Sequence, residues 1–303
     1  MINVLYESNR GTRIELTKAP YFLNLEPLFN YRWGYTTRDK KRGHIIAGFG
    51  KDVAEQAFTL HIMDANVTRQ QMAVDAFNDI IETDIYDGEH GTIWVSQTEF
   101  PTTVTKDWLE KNCWFTYGFI IEAKNSKWQY GRPIIKKEFT LVREKECWYR
   151  VTDRTNYDSQ EYDTSEDFEF AKDYEPAYDY GHDYMTNLSS STEINNPSAT
   201  GSEYIVTIYG EVQDSVYLEI GDTIIDIGVE LLAGEKLVVD STAQTITMTN
   251  NLGELLNVFG ARNPDYPAFR RIDSGRNIIT WSGGFNWELR LIEERSEPRW
   301  LTA

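Results

Sequence analysis

The run Phe285-Asn286-Trp287-Glu288-Leu289-Arg290-Leu291 decides the fold class. Its apolar residues fall at every second position, the period of a half-buried β-strand whose successive side chains face opposite sides of a sheet. The same period runs through Ile225-Asp226-Ile227-Gly228-Val229-Glu230-Leu231. Working outward from these runs, strands are expected near 203–209, 215–220, 223–231, 236–240, 244–249, 254–259, 268–272, 276–281 and 285–292. Turn residues separate them, among them Gly221-Asp222, Ala233-Gly234-Glu235, Asn250-Asn251 and Asp273-Ser274-Gly275. Short strands at this spacing make an antiparallel β-sandwich. No repeat at a fixed period of about 20–50 residues runs through the chain.

The first half reads as strands with one helix. Phe58, Leu60 and Ile62 share one face of a strand, with Thr59, His61 and Met63 opposite. Thr68-Arg69-Gln70-Gln71 has the form of a capping box. Beyond it Met72, Ala73, Ala76, Phe77, Ile80 and Ile81 recur at spacings of three and four, predicting an amphipathic helix over about 69–83. Strands are expected at Thr92–Val95, Trp114–Ile121 and about 137–142. The fold class is therefore mainly β, an all-β chain with one helix.

Between the halves, Val151 to Asp183 holds eleven acids against two basic residues, together with Tyr157, Tyr162, Phe168, Phe170, Tyr174, Tyr178 and Tyr180. A disordered linker carries few aromatics, so this tract is expected to be an anchored connection with packed rings and solvated carboxylates. Leu188–Thr192 and Asn195–Ser198 read as loop. The expected domains are 1–150 and 151–303, with 151–200 as the acidic, aromatic connection. A length of 303 residues fits two domains at roughly 100–200 residues each.

The chain has 30 Lys and Arg against 48 Asp and Glu, a formal net charge of −18. A general nucleic-acid binder needs a basic footprint, and an anionic membrane surface repels such a chain. No run approaches the ~20 apolar residues that span a bilayer. Met1–Glu7 lacks a basic segment followed by an apolar one, so folding in a cytoplasm is expected. Cys113 and Cys147 make no disulfide framework and read as reduced thiols.

No catalytic, cofactor-binding or metal-binding residues are assigned. His44, His61, His90 and His182 are neither paired on a helix face nor set beside a cysteine pair, so no zinc site is expected. Gly48-Phe49-Gly50-Lys51 superficially resembles a phosphate loop. However, Ile45 stands where the leading Gly belongs, and Asp52 stands where Ser or Thr follows Lys. No Gly-x-Ser-x-Gly elbow is present. The acidic tract lacks the Asp-x-Asp-x-Asp-Gly spacing of a calcium loop, and no two carboxylates stand out as a glycosidase pair. Trp287 reads as core, and Trp281, at a strand end, as core or edge.

An ordered series in the second half carries a family resemblance. Tyr204-Ile205-Val206-Thr207-Ile208-Tyr209-Gly210 is followed by Val216-Tyr217-Leu218-Glu219-Ile220-Gly221-Asp222 and by Gly234–Ser241. Asn257-Val258-Phe259, Arg271–Trp281, Gly284-Phe285 and Glu294–Trp300 come after. In the first half, the strand at 58–63 and helix at 69–83 lead to Asp84-Ile85, a Gly turn and Thr92–Val95. This order resembles the distal tail protein (Dit) family of long, non-contractile-tailed bacteriophages.

The resemblance implies a ring-forming, β-sandwich-like N-terminal domain and a galectin-like C-terminal β-sandwich. It implies a homo-hexameric hub at the virion's tail tip, made in the host bacterial cytoplasm. The hub would join the tail tube to tail fibre, baseplate and receptor-binding proteins, with DNA passing through without specific binding. It carries no catalytic motif and no cofactor, in keeping with a structural protein and not an enzyme. The alternative is a carbohydrate-binding module contacting host cell-wall polysaccharide, although the Asn/Trp/Glu sugar-contact motif of true galectins is not found. A ring-former needs strand edges and a helix to dock its neighbours, and the N-terminal half offers both.

Overall fold

The computed structural model describes residues 2–126, 134–157, 190–282 and 284–300. Most of the acidic, aromatic tract, from Asp158 onward, and His182 lie outside the described residues. The chain divides into two compact units, Met1–Val151 with Glu294–Ala303, and Thr152–Glu293. The fold is mostly β with one main helix.

The first unit opens with β1 (Asn3–Glu7), β2 (Arg13–Glu15) and β3 (Tyr21–Leu23). The pair β4 (Gly34–Lys40) and β5 (Gly43–Gly50) follows, then β6 (Ala54–Met63) and α1 (Val67–Asp87). Next come β7 (Gly91–Ser96), the short α2 (Lys106–Asn112), β8 (Trp114–Ser126), β9 (Ile134–Arg143) and β10 (Trp148–Tyr157). Antiparallel pairing runs β2-β1-β7-β8, and β8 shifts register between Ile120 and Glu122 as it joins β9-β6-β3.

Period-2 alternation splits this sheet between two cores. Val4, Tyr6, Ile93 and Val95 join the cluster under α1, with Phe77, Ile80, Phe58 and Phe139. Leu5 and Trp94 turn the other way, against Phe100, Leu109 and Phe115 beside α2. Trp300, near the C-terminus, meets Phe29 edge-on at 5.6 Å within the same unit.

The helix is longer than its spacing predicts, and its cap is different. Asn66, not Thr68, is the N-cap, and its side chain accepts from the N–H groups of Thr68 and Arg69. Asn is among the strongest cap residues because its short amide reaches the first free donors. Gly88, at φ 71°, ends the helix in the left-handed conformation. Asp84 and Ile85 thus belong to α1. Asp84 is buried and accepts from the Tyr6 hydroxyl at 2.5 Å and the Asn9 N–H at 2.9 Å.

The second unit is a sandwich. One sheet has the order β17 (Leu255–Asn257), β16 (Thr245–Thr249), β15 (Lys236–Asp240), β12 (Glu203–Tyr209), β19 (Asn286–Arg295). The other has the order β11 (Ser190–Asn196), β18 (Gly275–Trp281), β13 (Val216–Ile220), β14 (Thr223–Ile227). The inward residues of both, including Val206, Leu218, Ile225, Val239, Ile279, Trp287 and Leu289, form one cluster. Trp281 is core and meets Trp287 edge-on at 5.4 Å.

Three expectations are corrected here. The stretch read as loop around Ser190–Asn196 is a strand, paired residue for residue with β18. The strand expected at 268–272 is irregular, because turn bonds follow Pro267 and only Ile272 bridges to Ser202. The strand expected over 223–231 stops at Ile227, where the Gly228 N–H bonds the Ala261 carbonyl instead of a neighbouring strand.

Candidate assembly surface

The residues with reactive chemistry are dispersed. His44 bonds Asp39 at 2.6 Å on an exposed strand, His61 is half-buried in β6, and His90 lies against the Tyr117 ring at 4.6 Å. Among the described residues no group of three or more His, Cys, Asp or Glu could hold a metal ion. Burial pushes the Cys113 thiol up to about 12. Burial, reinforced by the bond to Glu294, pushes Cys147 up to about 11. Thiolates, the reactive form, are therefore scarce at neutral pH. Gly48 and Gly50 lie within β5, so the segment that resembled a phosphate loop is a strand up to Gly50.

What the first unit does present is a ribbon. The strands β4 and β5 form a separate two-stranded sheet turned at Lys41-Arg42. Cross-strand partners share a face. Tyr35 pairs with Phe49, Thr37 with Ile46 and Asp39 with His44, so one face is apolar in its base half and polar towards the turn. Thr36 pairs with Gly48, Arg38 with Ile45 and Lys40 with Gly43, so the other face is basic. A bulge at Thr36/Thr37 interrupts the register. Tyr35, Ile46 and Phe49 are 65%, 56% and 66% exposed. Arg38, Lys40, Lys41 and Arg42, against Asp39 alone, make the turn end of this ribbon basic in an acidic chain.

The base of the ribbon is fixed. The Lys51 ammonium sits 5.5 Å from the Tyr31 ring centre and 5.0 Å from that of Trp33, and donates to the Glu146 carbonyl. The Arg32 N–H donates to the Glu146 carboxylate at 2.6 Å. Arg143, buried below, donates to Gln56 at 2.8 Å. Composition suggested no such surface, because its charge contrast is confined to a few residues.

In the second unit the outer face of the four-stranded sheet carries a groove of about 530 Å³ lined by Glu219, Asp222, Asp273, Arg276, Asn277 and Thr280. The two tryptophans of this unit, Trp281 and Trp287, are both buried.

These features define a class: a two-unit, mostly β chain with an exposed two-stranded ribbon and no metal-holding cluster among the described residues. No protein-family model matches the sequence, and no curated protein matches it. Solved structures do match the fold. The SPP1 Dit (gp 19.1) protein, a paradigm of the hub adsorption apparatus in phages that infect Gram-positive bacteria, is similar at 10% identity. That match covers 97% of this chain and 99% of that one, with a TM-score of 0.60. A chain of the phage P2 baseplate in its activated conformation with Ca is similar at 10% identity over 98% and 100% of the two chains, with a TM-score of 0.59. The resemblance to the distal tail protein family is thus matched by a shared fold over nearly the whole chain.

Proposed function

We propose that the chain is a structural subunit of a phage tail hub. Copies close into a ring, most simply of six, that joins the tail tube to the baseplate and receptor-binding proteins. DNA passes through the ring without specific binding. The subunit is made in the host cytoplasm, resides at the virion's tail tip, and performs no catalysis with metal or cofactor. Residues 1–150 build the ring, and the sandwich within 151–303 faces other tail proteins. The shared fold supports this reading.

The observation that carries it is the ribbon. An isolated two-stranded hairpin is marginal in water, and this one exposes an aromatic and aliphatic face that no other strand covers among the described residues. Covering that face against another copy removes both liabilities. Light scattering and negative-stain imaging of the purified full chain test the proposal. The expected result is a ring of discrete mass, lost in the variant Tyr35→Ser/Phe49→Ser with the fold retained. A native chain that stays monomeric at high concentration would count against it.

A second reading, saccharide binding at the groove of the four-stranded sheet, is favoured by its polar lining. Sugar sites stack rings on aromatic faces, and the buried tryptophans offer none. Binding to purified cell-wall polysaccharide separates the two readings.

A further inference from the structure

The outer side of α1 is of similar length to the ribbon and opposite to it in charge. Met72, Asp75, Asp79, Glu82 and Tyr86 recur at spacings of three and four, and so form one stripe along the helix. This stripe lies opposite the buried face of Ala73, Phe77, Ile80, Ile81 and Asp84. Tyr86 is 92% exposed and Met72 66%, at either end of the three acids. Within the same chain Lys137 lies near enough to Asp75 and Glu82 to feel their charge. A groove of about 360 Å³ runs beside the stripe, lined by Asp79, Ala76, Ile80 and Thr83 and on its other side by Ser8, Thr12 and Arg10, whose guanidinium is held by Asp87.

We infer that the ribbon of one copy lies along this stripe of α1 on the next copy. The inference rests on the assembly reading and names the partner surface within it. An eight-residue strand spans about 27 Å and a 21-residue helix about 31 Å, so the two run side by side for their whole lengths. With the base of the ribbon at the start of the helix, Tyr35 and Phe49 meet Met72, and the turn lies near Glu82 and Tyr86. The long cationic side chains of the turn, Lys41 and Arg42, reach the carboxylates at that end of the stripe. On the rest of an acidic chain these cations find acids too, but here the acids come with exposed apolar neighbours at ribbon length. The partner is a second copy because each copy carries both halves of the contact, head to tail, which is the arrangement that closes rings.

The test is a charge exchange in the full-length protein, read by light scattering across a concentration series. The helix variant Asp79→Lys/Glu82→Lys and the ribbon variant Lys41→Glu/Arg42→Glu should each weaken assembly roughly tenfold or more. Combining them should restore it, which a merely structural defect could not do. Far-UV circular dichroism checks that each variant is folded. The neutral variant Asp79→Asn/Glu82→Gln should weaken assembly in the same direction but less. If the helix variant assembles as the native chain does, the inference is overturned while the assembly reading stands, and the ribbon then docks elsewhere, on another tail protein for example. Failure of the combined variant to recover also overturns it. A native chain that never assembles removes both readings together.

Discussion

Gly91 sits where a side chain has no room. A Cβ there would collide with the Tyr6 hydroxyl and the Asp84 carboxylate, and these two groups bond each other inside the first unit. Gly91→Ala should therefore cost about 1–3 kcal/mol through overpacking. Tyr6→Phe should cost about 1–3 kcal/mol because the buried carboxylate loses a donor. Urea midpoints read both, and a neutral Gly91→Ala would show that the close approach relaxes freely. In the second unit, Trp287→Ala should cost about 3–5 kcal/mol, and a loss under about 1 kcal/mol would mean the face is misassigned. The thiols add a pH signature. Their ordinary value is 9.0, against about 12 for Cys113 and about 11 for Cys147 in the fold. The folded chain keeps protons that the unfolded chain gives up. Their contribution is thus full below pH 9 and lost as pH rises from 9 towards 12. Urea midpoints at pH 8 and above pH 10 should differ in that direction, and Ellman's reagent should not label the native thiols at neutral pH. Trp287 was legible from its alternation with Asn286 and Glu288. The Tyr6–Asp84 bond was not, because its partners stand 78 positions apart and leave no local pattern.

Helix α1 shows what an element owes to its ends. Gly88 is left-handed, and a Cβ there would meet nothing within 4 Å. The cost of Gly88→Ala is therefore conformational, about 1–2 kcal/mol, and Gly88→Asn should cost less because Asn tolerates this region. Asn66→Ala should cost about 1 kcal/mol through the lost cap. Thermal melts rank the three, and equal losses for Gly88→Ala and Gly88→Asn would point to a cause other than backbone strain. The helix itself was legible because its apolar residues kept a 3.6-residue period. Its start was shifted because Thr68 and Gln71 mimic a capping box while Asn66 performs the capping. The short α2 escaped notice because seven residues hold too few turns to show a period. Strand β11 read as loop because, beyond Ser190, only Ile194, Asn196 and half-buried Thr192 turn from solvent at this sheet edge. The ribbon hid for a related reason. Ile45-Ile46-Ala47 breaks the alternation at a bulge, and neither face is buried to impose one.

At the scale of the whole molecule, charge acts in two opposing ways. Each copy carries a formal −18 and repels the next, while the ribbon carries four cations against one acid. These terms differ in range. At about 0.01 M salt the screening length is roughly 30 Å, so the repulsion between whole acidic copies is felt. At about 0.15 M it is roughly 8 Å, which removes that repulsion but leaves ion pairs at contact distance. At about 1 M it is roughly 3 Å, and the contact pairs weaken as well. Assembly through the basic ribbon should therefore strengthen from low to intermediate salt and weaken again at high salt. The variant Lys41→Gln/Arg42→Gln loses the local attraction and keeps the global repulsion, so its assembly should only strengthen as salt rises. Light scattering across a sodium chloride series distinguishes the two profiles. A native chain whose assembly rises steadily through about 1 M salt would show that the apolar face alone holds the copies together and that the ribbon's cations serve another partner.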